Sequence, residues 1–175
     1  MEFRRIANTD VSYPIAVSMK YCKPRLTAMA DTILTFRDPN KETVMLGTGI
    51  SGAVVGAYLS VLYTPLKYFH ISKENEVGNH RSDIDRGYGG DDQADDDKLW
   101  ELWIVDDFVS SGQTISNILK RLNDVAFSTL KKTLEKDGIR AILAGVSNHK
   151  AIDMKERIER YQINSNINIQ TWYAV

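Results

Sequence analysis

The sequence predicts an α/β protein built on a parallel sheet flanked by helices. Three observations carry this reading. From about residue 24 onward, strand-like and helix-like segments alternate. The strand-like segments are apolar runs without alternation, as expected of strands covered on both faces. Three polar clusters, 47–52, 106–114 and 147–150, follow strand-like segments, and open α/β sheets bind ligands beyond the carboxyl ends of their strands.

The elements follow in order. Pro24 opens the first helix, where its missing N–H costs nothing. Leu26, Met29, Ala30, Ile33 and Leu34 recur at helical spacing as one stripe, and Pro39-Asn40 ends it. Thr43 to Leu46 is a short strand running into Gly47-Thr48-Gly49. Ser51 or Gly52 starts a second helix, Ala53 to Leu62, apolar nearly all round and expected to be buried on the sheet. After Pro65, Leu66 to Ile71 is the next strand. Residues 73–98 hold four glycines, many aspartates and few apolar residues; a loop of this length inside a compact domain is often functional, such as a lid.

Leu99 to Val105 is an apolar strand carrying Trp100 and Trp103, and it ends in Asp106-Asp107. A long helix follows, with the stripe Ile115, Ile118, Leu119, Leu122, Ala126, Leu130 and Leu134 and a stop at Gly138. Ala141 to Val146 is another buried strand, leaving Ser147, Asn148, His149 and Lys150 at its carboxyl end. A charged helix around Lys155–Arg160 and a strand from Ile167 to Val175 close the chain.

The 175 residues suit one domain, 1–175, and are enough to bury a sizeable core. Twenty-two basic against 23 acidic residues leave a net charge of -1. That balance argues against a nucleic-acid coat or a polybasic membrane binder. Cys22 is the single cysteine, which excludes an intrachain disulfide and a zinc site built from several cysteines. With no span-length apolar run and no apolar stretch behind the charged first residues, a cytoplasmic protein is expected.

Two clusters carry chemistry. Gly47-Thr-Gly49-Ile-Ser-Gly52 follows a strand and opens a helix, which matches the dinucleotide fingerprint, with Glu74 near the place of a ribose-binding acid. It is not a Walker A loop, because Ala53 follows Gly52 and no Lys-Ser/Thr comes next. The second cluster is more specific. Two adjacent carboxylates, Asp106 and Asp107, are costly unless a sugar diol or a divalent cation uses their charge. Just beyond them, Ser110, Ser111, Gly112, Gln113 and Thr114 run into a helix N-terminus, with successive amides and three hydroxyls. This is an anion nest suited to a phosphate monoester. Diol-binding acids beside a phosphate cradle describe a ribose 5-phosphate site.

Residues 102–114, LWIVDDFVSSGQT, resemble the phosphoribosyl pyrophosphate (PRPP) signature of type I phosphoribosyltransferases. That signature is four apolar residues, two acids, two apolar residues and a small-residue phosphate loop ending in Thr. The order of elements over about residues 43–147 is also similar. The resemblance implies a type I phosphoribosyltransferase-like core at about 24–147, with a small hood from the chain ends, about 1–20 and 148–175, and a flexible catalytic loop at about 74–98. It implies that Asp106 and Asp107 hold the ribose hydroxyls and lie near Mg²⁺, and that Ser110 to Thr114 bind the 5-phosphate. Thr48, Gly49, Ile50, Ser51 and Gly52 would offer amides to the pyrophosphate, and Lys73 would approach it. Arg81 on the loop would neutralise leaving pyrophosphate, and Asn148, Lys150 and Trp172 would face the base.

The implied activity is transfer of ribose 5-phosphate from PRPP to a nitrogenous base, a purine above others, by a Mg²⁺-dependent homodimer. Two features depart from the family pattern: Ser51 stands where many members have a basic residue, and Ser110 where 6-oxopurine enzymes often have Asp. A non-catalytic sensor of PRPP or a nucleotide on the same fold is the first rival. A dinucleotide-dependent oxidoreductase using 47–52 is the second.

Overall fold

The structure, a computed structural model, describes residues 2–3, 19–63, 66–71, 84–85, 99–109, 111–124, 128–147, 156, 159–160 and 167–174. Its elements are β1 (Glu2–Phe3), α1 (Met19–Phe36), β2 (Glu42–Gly47), α2 (Gly49–Leu62), β3 (Leu66–Ile71), β4 (Ile84–Asp85), β5 (Trp100–Val109), α3 (Gln113–Asp124), α4 (Ser128–Asp137), β6 (Ile139–Ser147) and β7 (Ile169–Ala174). Among the described residues the strands form one sheet in the order β1-β7-β6-β5-β2-β3-β4. Every pairing is parallel except that of β3 with the two-residue β4. The expected parallel sheet flanked by helices is therefore what the chain forms.

Two apolar layers sandwich the sheet. Val44, Leu46, Leu102, Ile104 and Ile142 pack with Ile115, Ile118, Leu119 and Leu122 of α3. On the other face Met45, Trp103, Val105, Ala141 and Leu143 pack with Leu26, Met29 and Ile33 of α1 and Val55 and Leu59 of α2. Successive residues of β2, β5 and β6 thus go to opposite layers, as the strand period of two requires. Both layers are apolar, so these strands read as unbroken hydrophobic runs. Tyr173 of β7 stacks on Trp103 at 5.9 Å and on Phe36 at 5.1 Å, fastening the last strand to the α1 side.

Several boundaries differ from expectation. The first helix starts at Met19, with Pro24 inside it and exposed. α2 begins at Gly49 rather than at 51 or 52, because Gly49 takes φ 65, a left-handed value that glycine adopts without a Cβ penalty. One face of α2 is open, with Ile50 81% and Val61 82% exposed, so that helix is not buried all round. The long helix expected after the second cluster is described as α3 and α4, with residues 125–127 between them outside the described residues. β5 does not stop at Val105; pairing with β6 continues through Asp106↔Ala144 and Phe108↔Val146 to Val109↔Ser147. The backbone there still has a partner for its polar groups, so the strand carries on through the acids. Ile169–Ala174 and Glu2–Phe3, within the chain ends that the resemblance assigns to a small hood, pair as strands of the main sheet. No helix among the described residues is long and apolar enough to cross a membrane.

Candidate functional site

The strand order places a switch point between β2 and β5. From β2 the chain crosses through α2 to β3 on one side; from β5 it crosses through α3 and α4 to β6 on the other. Two crossovers leaving in opposite directions put α2 and α3 on opposite faces and open a crevice between the carboxyl ends of the two strands. The β2–β5 pairing ends at Leu46↔Ile104. Beyond it β5 continues without β2 as a partner, and its next polar residues are Asp106 and Asp107.

Asp106 and Asp107 are 6% and 4% exposed. The Asp107 amide donates to Asp106 Oδ1 at 2.9 Å. Asp106 pairs with Ala144 of the α3-side layer and so lies on that face, in step with Leu102 and Ile104. Asp107 Oδ2 is buried and has no hydrogen-bond partner among the described residues. A buried carboxylate oxygen without a donor is expensive unless a ligand supplies one.

On the α3 side, Gly112 takes φ 78, turning the chain from β5 into the helix. The Ser111 hydroxyl accepts from the Gln113 amide at 3.3 Å, and the first helical bond runs from the Ser116 amide to the Gly112 carbonyl at 3.0 Å. The amides of Thr114 and Ile115 precede that bond and have no partner within the helix. Ser111, Gly112, Gln113 and Thr114 thus come together as one helix N-terminus, while Ser110 lies outside the described residues.

On the α2 side, Gly47, Thr48 and Gly49 make the turn, and Ile50, Ser51 and Gly52 form the first helical turn. Gly47 and Gly52 press together: a Cβ on Gly52 would lie 3.1 Å from the Gly47 carbonyl carbon and 3.8 Å from the Val105 carbonyl oxygen. The α2 N-terminus consequently sits against β5 one residue before the acids. Thr48 caps nothing; its hydroxyl donates to the Ile71 carbonyl at the end of β3. The Thr48 side chain is occupied, and the first-turn amides are what the turn can offer a ligand.

Lys73, His80, Arg81, the loop 74–98, Asn148, His149 and Lys150 lie outside the described residues. Trp172 is placed by its backbone alone, in register with Ile142 and Phe3. Among the described residues no group of three or more His, Cys, Asp or Glu side chains could hold a metal ion. A cation would find two protein carboxylates here, Asp106 and Asp107.

Two features escaped the sequence reading. Tyr68 and His70 stand on β3 next to the glycine turn, their side chains joined at 3.0 Å; the signal was an aromatic residue opposite a run of glycines. Glu101, 3% exposed, lies at the far, amino end of β5. It accepts from Thr43 Oγ1, Trp103 Nε1 and the Asp38 amide. That end also holds a polar cavity of about 310 Å³ bordered by Arg37, Lys41, Asp137 and Arg140.

No family model and no curated protein matches the chain. Solved structures do. One is adenine phosphoribosyltransferase from Trypanosoma brucei, in complex with AMP, pyrophosphate and ribose-5-phosphate: TM-score 0.55, 12% identity, 91% of this chain and 67% of that one. Another is adenine phosphoribosyltransferase from Saccharomyces cerevisiae, complexed with an imino-altritol bisphosphate and adenine: TM-score 0.52, 9% identity, 91% of this chain and 82% of that one. A further adenine phosphoribosyltransferase gives TM-score 0.51 at 11% identity. At such identities the likeness is one of architecture, and on it the chain has the phosphoribosyltransferase fold.

Proposed function

We propose that the chain is a Mg²⁺-dependent phosphoribosyltransferase that moves ribose 5-phosphate from PRPP to a nitrogenous base and releases pyrophosphate, with a purine as the favoured acceptor. The observation that carries this is the crevice itself, a buried acid pair between two helix N-termini. An anion with a phosphate at each end and a diol between them matches that order. The α3 N-terminus, Ser110 to Thr114, takes the 5-phosphate, and the amides of Thr48 to Gly52 take the pyrophosphate. Asp106 and Asp107 accept from the ribose hydroxyls.

The unpartnered Asp107 Oδ2 fits a cation as well as a hydroxyl. Two carboxylates with water and substrate oxygens make the incomplete protein shell that Mg²⁺ commonly has. When bound, Mg²⁺ supplies charge neutralisation to the leaving pyrophosphate. The protein's part is positioning and electrostatics. A base nitrogen bonds to ribose C1 as the C1–O bond to pyrophosphate breaks; pyrophosphate leaves with the electron pair, and the nitrogen's proton passes to water. Lys73 and Arg81 face that leaving group, the loop 74–98 closes over it, and Asn148, Lys150 and Trp172 border the base. The enzyme works as a cytoplasmic homodimer.

The test is a panel of hypoxanthine, guanine, xanthine, adenine and orotate with PRPP and Mg²⁺, read by pyrophosphate release. Release with at least one base is expected, and none with any base overturns the catalytic reading. A second reading, a PRPP- or nucleotide-sensing regulator, is favoured by one observation: no charged residue occurs from Thr43 through Leu66, so the pyrophosphate turn has no cation of its own. PRPP binding without turnover would select it. A dinucleotide oxidoreductase leaves Asp106 to Thr114 without a role, and a nicotinamide absorbance change would be its sign.

A further inference from the structure

Resting on the reading that the turn between β2 and α2 holds pyrophosphate, we propose that Tyr68 and His70 are positioning residues of that turn. The Tyr68 ring is 9% exposed and lies beneath α2. Two glycines make room for it. A Cβ on Gly56 would come within 2.0 Å of ring atom Cδ2, and one on Gly47 within 3.1 Å of both Cε2 and the hydroxyl. The ring is therefore wedged between the last residue of β2 and the middle of α2. Its hydroxyl is 3.0 Å from His70 Nδ1. His70 stands directly across from Gly47 in the β2–β3 register, and residues 68 and 70 share one face of β3.

A second tie lies one residue further on, where the Thr48 hydroxyl donates to the Ile71 carbonyl. The carboxyl end of β3 thus grips the turn twice, through packing on Gly47 and through the Thr48 hydroxyl. The grip matters because of what the turn lacks. With no charged side chain from Thr43 through Leu66, what the turn itself brings to an anion is its backbone amides. A lysine on a flexible stem tolerates displacement of the backbone, whereas an amide hydrogen bond weakens steeply once its angle or length is lost. The Tyr68–His70 pair keeps those amides aimed at one point.

The experiment is calorimetric titration of inorganic pyrophosphate, with Mg²⁺, and separately of ribose 5-phosphate, into the wild type, Tyr68→Phe, His70→Ala and His70→Asn. Circular dichroism checks that each variant is folded. Tyr68→Phe and His70→Ala are expected to weaken pyrophosphate binding about fivefold, the scale of one hydrogen bond, with ribose 5-phosphate binding unchanged. His70→Asn, whose side-chain amide can pair with the Tyr68 hydroxyl as donor or acceptor, is expected to restore much of the loss. Wild-type pyrophosphate affinity in Tyr68→Phe and His70→Ala overturns the proposal. So does equal loss for both ligands, which marks general loosening, and so does failure of asparagine to rescue. Should His70→Ala not fold, Tyr68→Phe decides alone. A wild type that binds ribose 5-phosphate but not pyrophosphate removes the reading of the turn itself, and the proposal with it.

Discussion

Asp107 is where folding and function pull apart most clearly. Its side chain is 4% exposed and one oxygen lacks a partner among the described residues, so the folded protein gains little from its charge. Replacing it by asparagine keeps the volume and removes the buried charge. Asp107→Asn is expected to unfold within about 1 kcal/mol of wild type, while turnover falls by at least about tenfold. Urea unfolding and pyrophosphate release measure the two, and wild-type turnover would refute the assignment to the ribose diol. Gly56 shows the opposite balance. Its Cβ position falls inside the Tyr68 ring, and the ring is hemmed by Gly47. Gly56→Ala is expected to cost about 1–3 kcal/mol by overpacking, read as a lower urea midpoint at unchanged slope. Substitutions at Leu62, 53% exposed, have no such neighbour and should leave that midpoint in place.

The informative element is the strand-to-helix turn, which occurs twice at the crevice. Both turns use a glycine at positive φ, Gly49 at 65 and Gly112 at 78, to swing the chain from strand into helix. The α3 turn is built by hydroxyls and amides, the α2 turn by close glycine packing. Thr114 is half-buried in the first turn of α3. Thr114→Ala is expected to leave the helix intact and weaken ribose 5-phosphate binding about tenfold, since a hydrogen bond to a charged group contributes about 1.5–3 kcal/mol; calorimetry checks it, and unchanged affinity removes the hydroxyl from the cradle. Gly112→Ala adds backbone strain at positive φ on top of any loss of binding.

At the scale of the whole molecule, the two ends of the sheet differ in how their polar groups are satisfied. The carboxyl ends of β2 and β5 carry the open turns, the buried acids and the uncapped amides. The amino ends carry closed pairs: Lys41 with Asp137 at 2.9 Å, Lys67 with Glu42 at 2.7 Å, and Glu101 with its three donors. A ligand spanning the crevice bridges elements of both layers and so stabilises the folded chain. With PRPP and Mg²⁺ at about a hundred times the dissociation constant, mass action adds about 2.7 kcal/mol. For a chain of this size that raises the melting temperature by about 5–10 °C. A thermal melt unmoved by PRPP but raised by a dinucleotide would transfer the crevice to the other ligand.

By itself the sequence determined the layer order and the identity of the cluster. Apolar runs at Val44–Leu46, Leu102–Val105 and Ala141–Val146 read as strands covered on both faces, and stripes such as Ile115, Ile118, Leu119 and Leu122 mark the helices that cover them. Asp106-Asp107 followed by Ser-Ser-Gly-Gln-Thr is local chemistry and legible without a fold. Pairing decided the rest. β5 runs on through its acids because β6 lies alongside, and the tail strand enters the main sheet because Tyr173 finds Trp103 and Phe36. The switch point between β2 and β5 and the wedge of Tyr68 between Gly47 and Gly56 arise between segments far apart in the chain. Such contacts leave no periodic trace in the sequence, because side-chain spacing reports which face is buried and not what lies against it.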